Sequence, residues 1–151
     1  MENTQAYAEA QMLIRKPVNE VFNAFIDPQQ TQHFWFTKST GKLEQGATVT
    51  WYWEMYNVST EAMVKNIVPN ERIAIHWGNP ATAVDFMFKA MPGNHTYVSI
   101  KNHGFREQGD DLIAAIRDAT GGFTTVLDGL KAYLEHGIAL NLIADKFPTG
   151  K

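Results

Sequence analysis

The sequence predicts an α+β fold in which a curved antiparallel sheet is covered by a long C-terminal helix. Three observations carry this reading. Short segments alternate with period two between Lys42 and His103, an apolar stripe with helical spacing runs from Asp110 to His136, and two short helical patterns follow the first strand.

Ala6 to Ile14 reads as the first strand. Pro17 then opens a helix that carries Val18, Val21, Phe22 and Phe25 at i, i+3, i+4 and i+7. Asp27-Pro28 ends that helix and starts another, because Asp caps well and Pro suits a first helical position. The second helix, Gln29 to Phe34, delivers the aromatic cluster Phe34, Trp35 and Phe36. From Lys42 onward, turn signals at Glu44-Gln45-Gly46, Tyr56-Asn57, Pro69-Asn70-Glu71, Gly78-Asn79-Pro80 and Pro92-Gly93-Asn94 divide the chain into strands of an antiparallel meander. Strand parity places Val49, Trp51, Trp53 and Met55 on one face; Ile73, Ile75 and Trp77, then Val84, Phe86 and Phe88, then Thr96, Val98, Ile100 and Asn102 follow the same rule. That face is apolar and aromatic, so it needs a cover.

The cover is the last long element. Leu112, Ile116, Ala119, Phe123, Val126, Leu127, Leu130, Tyr133 and Leu134 advance by three or four residues, with Gly137 as the C-cap. Asp110-Asp111 reads as N-cap and partner of the helix dipole rather than as a catalytic carboxylate pair. Gly121-Gly122 interrupts the stripe at roughly 1 kcal/mol per Gly relative to Ala, which predicts a close backbone approach or a bend.

At 151 residues and 17.0 kDa the chain fits a single domain, 1–151, with an ordinary apolar core. Net charge is -3 and the 13 basic residues are scattered, which argues against nucleic acid as a partner. The start, Met1 to Gln5, lacks the basic and apolar regions of a leader, and no apolar run is long enough for a membrane span; a cytoplasmic protein is expected. Cysteine is absent, so disulfide and thiol chemistry are excluded. The five histidines show no HExxH and no i,i+4 pairing, so no metal and no cofactor are expected. His33 reads as lying on the exposed side of a short helix, His136 as a last-turn cation, and His76, His95 and His103 as outward-facing on their strands. No GxSxG elbow and no phosphate-cradling Gly loop are present.

Pro17-Val18-Asn19-Glu20-Val21-Phe22-Asn23-Ala24-Phe25, the Asp27-Pro28 junction, the strand from Thr96 to Phe105 ending Asn-His-Gly-Phe, and Gly121-Gly122-Phe123 through Val126-Leu127-Asp128-Gly129-Leu130-Lys131 resemble the START-like (SRPBCC) superfamily. Within it they are most similar to the branch named for homology to the activator of the Hsp90 ATPase. The resemblance implies a helix-grip fold with an apolar cavity between sheet and helix; members elsewhere bind lipids, hormones or polyketides, and some cyclise or aromatise them. Two positions depart from the common pattern: Phe123 stands where many relatives have Trp, and Asn102 where many have His.

Trp35, Trp51, Trp53, Trp77, Phe86, Phe88 and Phe123 would all point into the space between sheet and helix, with Met55, Asn102, Leu127 and Leu130 completing the candidate site. A filled core could use the same side chains; a ligand pocket would leave some of them at an open wall. The function expected is binding of a small, mainly apolar or aromatic ligand. One alternative is a cyclase- or aromatase-like enzyme in which Asn102, a Tyr or a Trp positions a reactive ligand without a clear general base. The other is a chaperone partner of the Hsp90 type.

Overall fold

The computed structural model describes residues 6–150; Met1 to Gln5, read above as lacking a leader, and Lys151 lie outside the described residues. In chain order the elements are β1 (Tyr7–Ile14), α1 (Val18–Ile26), α2 (Pro28–Thr31), β2 (Lys38–Ser39), β3 (Thr48–Trp53), β4 (Val58–Val68), β5 (Arg72–Trp77), β6 (Thr82–Met91), β7 (His95–His103), α3 (Gly109–His136) and α4 (Leu142–Lys146). The strands form one antiparallel sheet in the order β1-β7-β6-β5-β4-β3-β2. Strands β2 to β7 are joined as a meander, while α1 and α2 carry the chain from one sheet edge to the other. Asn57, Asn70 and Asn94 take positive φ in the turns between strands, a conformation Asn tolerates better than most residues. A register shift between Val64 and Asn66 in β4 adds a bulge, and a bulge bends its strand.

Parity holds along the inner face. Ile73, Ile75, Val84, Phe86, Val98 and Ile100 are buried, and Val126, Leu127 and Leu130 of α3 are buried in the same cluster. Gly137 ends α3 at φ 66°, its N–H reaching the Ala132 and Tyr133 carbonyls. The N-cap falls on Gln108, which makes no side-chain capping bond, so the cap expected at Asp110-Asp111 is corrected: both aspartates sit inside the first turn, next to the positive end of the helix.

The close approach expected at Gly121-Gly122 lies elsewhere. A Cβ on Gly122 would meet nothing within 4 Å among the described residues, whereas one on Gly129 would fall 3.1 Å from Phe34 Cβ and 3.3 Å from its carbonyl oxygen. Gly129 is therefore where the backbones of α3 and the segment after α2 cross.

The C-terminal part of α3 also seals the edge of the sheet. Lys131 Nζ donates to the Leu13 carbonyl at 2.9 Å and pairs with Glu135 at 2.7 Å, and Glu135 accepts the Arg15 N–H at 2.8 Å. Backbone groups that an edge strand would leave open are thereby occupied. Burial pushes the Glu135 carboxyl upward, but the Lys131 hydrogen bond, the Arg15 N–H and the positive charge of Lys131 outweigh it, and the group ends below the ordinary Glu range. With the folded pKa below the unfolded one, the stabilisation is complete above the ordinary Glu range and is lost as pH falls through the lower folded value. Glu135→Gln is expected to cost about 1–2 kcal/mol near neutral pH and to flatten the acid limb of a stability profile followed by urea denaturation. A limb identical to the parent's would show that this latch carries no pH dependence.

Candidate functional site

The cavity arises because α3 is seated on the sheet along only part of its length. Phe123, Val126, Leu127 and Leu130 are buried, but Leu112, Ile116 and Ala119, one to three turns earlier on the same stripe, are only half-buried. Opposite this raised part, the strands present Trp53 at the end of β3 and Trp77 at the end of β5, both half-buried. Between them lies an open cavity of about 440 Å³, within the range of small-molecule sites.

Its inner wall is aromatic by construction. Thr31 Oγ1 donates to the Ala24 carbonyl at 2.6 Å and also lies 3.0 Å from that of Asp27, and the Asp27 side chain accepts the Gln29 N–H at 3.0 Å. The turn so anchored sends Trp35 under α3. Its ring centroid lies 4.8 Å from Trp51, 5.8 Å from Trp77 and 5.9 Å from Phe123. Trp77 and Phe123 meet across the gap between sheet and helix at 5.7 Å.

Of the residues singled out from sequence, Trp35, Trp53, Trp77 and Phe123 line this cavity. Trp51, Phe86, Phe88, Leu127 and Leu130 are buried in the packed core and do not line it. Asn102 is buried as well, and its amide donates to Thr82 Oγ1 at 3.0 Å and to the Ala83 carbonyl at 2.9 Å, tying β7 to β6. The strand face assigned to Met55 is corrected: β3 ends at Trp53, Glu54–Tyr56 form a 3-10 turn, and Met55 is exposed beside a smaller indentation between the segment after α2 and the start of α4.

The outer wall was not foreseen. Tyr56, Val58, Ile143 and Phe147 close that end, with Gly122 leaving open space on the helix side. The Tyr56 hydroxyl lies 2.7 Å from the Phe147 carbonyl and 3.1 Å from that of Ile143, so one phenol hangs α4 over the cavity. The sequence carried a faint signal for this, an Ile143/Phe147 pair at i and i+4 beyond the Gly137 stop. Asp118, on α3 one turn before Gly122, is the charged side chain of the lining.

The histidines contribute nothing here. His33 is exposed and stacks on Tyr133 at 4.9 Å, while His103 approaches Asp85 at 3.2 Å beside the Arg72–Asp85 ion pair, away from the cavity. Among the described residues, no three His, Asp or Glu side chains converge as a metal set, and no helix is long and apolar enough to cross a membrane.

A curved antiparallel sheet closed on a long C-terminal helix, with an apolar cavity where the helix lifts away, is the helix-grip architecture of START-like (SRPBCC) proteins. The family described as activator of Hsp90 ATPase homolog 1-like protein matches residues 15–135, and the chain belongs to that family. The match stops short of α4. Protein SSP2350 from Staphylococcus saprophyticus superposes with a TM-score of 0.79 at 27% identity, covering 89% of this chain and 96% of that one. DynU16, a putative protein in the dynemicin biosynthetic locus, gives 0.78 at 17% identity over 88% of this chain, which spans 48% of DynU16. The Aha1 dimer from Colwellia psychrerythraea gives 0.73 at 17% identity, covering 87% and 98%. Among curated proteins no sequence matches this chain.

Proposed function

We propose that the protein binds a small, mainly apolar or aromatic molecule in the cavity between Trp53 and Trp77 of the sheet and the raised part of α3. The observation that carries this is the division of the aromatic set. Trp51, Phe86 and Phe88 fill a closed core with Leu127 and Leu130, so the half-buried Trp53 and Trp77 at the open wall are surplus to it. Burial is the driving force: each side-chain-sized group of ligand contributes on the order of 1.5–3 kcal/mol, and the indole N–H groups offer directional contacts. Two or three such groups reach a Kd of roughly 1–100 μM. The likeness in fold to DynU16, from a biosynthetic locus, supports biosynthetic small molecules as first probes.

Titration with sterols, fatty acids, flavonoids and polyketide-like rings is expected to give at least one saturable change in Trp fluorescence. Trp53→Ala should weaken that binding about tenfold or more while the protein stays folded, because a wall loses contacts without leaving a closed void. If no compound saturates and Trp53→Ala unfolds the chain, the aromatics are packing and this function fails.

A further inference from the structure

We infer that the cavity is charge-selective: it takes an aromatic or alicyclic amine in its protonated form, with the ring between Trp53 and Trp77 and the ammonium at Asp118, and it discriminates against carboxylates. The inference rests on the cavity being a ligand site and names the class of ligand. Two independent features point the same way. The first is the single charge of the lining, an acidic one: Asp118 and Gly122 lie one helical turn apart on the cavity side of α3. Asp118 takes part in none of the ion pairs within 4.0 Å among the described residues. The second is the wall itself. Trp35, Trp53, Tyr56, Trp77, Phe123 and Phe147 contribute six aromatic rings to the lining, and a ring face attracts a cation and repels an anion.

One cation of the chain stands at the rim. Lys146 lies with Nζ 5.5 Å from the centroid of the Phe147 ring, and the same Nζ would sit 3.4 Å from a Cβ on Gly121. It is a tethered cation held against an aromatic of the outer wall, and it does not line the cavity. A carboxylate ligand would find no cation among the lining side chains to pair with and would have to bring its charge toward Asp118. An amine would offset that carboxylate and use the rings as well.

Three shape-matched probes test this by Trp fluorescence at pH 7: 2-naphthylmethylamine, 2-naphthylmethanol and 2-naphthoate. The amine is expected to bind tightest and the acid weakest, with about tenfold or more between them, the combined size of an exposed ion pair and an aromatic contact. The gap should narrow as salt rises from about 50 mM to about 500 mM. In Asp118→Asn the gap should shrink to the share of the aromatic wall, about threefold with the amine still ahead, and in Asp118→Lys the acid should overtake the amine; Asp118 is exposed, so neither change disturbs the core. Equal affinities for the three probes in the parent, or a gap of undiminished size in Asp118→Asn, would overturn charge selectivity while leaving the binding function standing. Failure of all three to saturate while a compound of the apolar panel does would overturn this inference alone; failure of both sets on a folded protein would remove the binding function as well.

Discussion

Leu127→Ala is expected to lower stability by about 2–5 kcal/mol, because the side chain is fully buried where α3 is seated on the sheet and its removal leaves a void that the crossing at Gly129 keeps from collapsing. Chemical denaturation should show a lower midpoint with the slope unchanged. A midpoint within error of the parent would mean that α3 is not the lid of the core.

Trp51→Ala should cost about as much or more, roughly 3–5 kcal/mol. Trp51 is 2% exposed, stacks on Phe36 at 5.0 Å and touches Trp35 and Trp77. The informative comparison is with Trp53→Ala on the same strand face. Loss of Trp51 should unfold or strongly destabilise the protein, whereas loss of Trp53 should be read mainly in ligand affinity. Equal stability losses for the two would erase the distinction between core and wall on which the proposed binding site depends.

That distinction marks what the sequence could and could not convey. Parity showed that Trp51 and Trp53 share a face, because side chains alternate strictly along a strand. It could not show that two residues, about 7 Å, carry the strand from the centre of the core to the margin of a cavity. Met55 failed for a related reason: parity extends only as far as the strand, and Asn57 at positive φ belongs to the turn that ends it. The boundaries of α3 were legible because a long apolar stripe averages over local exceptions and Gly137 stops it cleanly. α4 was not, since five residues offer little more than one turn of periodicity. The meaning of Gly122 also depended on its surroundings, as a glycine can mark a close contact or an empty space and composition does not tell them apart.

The one-sided seating of α3 gives the helix the mechanics of a clamped beam. Its C-terminal part is fixed by the crossing at Gly129, by Lys131 on the Leu13 carbonyl and by Glu135 on the Arg15 N–H. Its N-terminal part overhangs the sheet. Phe123 is the first buried residue of the seated part, and Ala119 lies four residues, about 6 Å, beyond it, so a bend of about 10° there moves the cavity roof by about 1 Å without loosening the clamp. For the ligand site proposed above, a movement of that size, set against an aromatic ring about 3.5 Å thick, would let one scaffold accept flat and puckered guests alike while the buried part of α3 stays still.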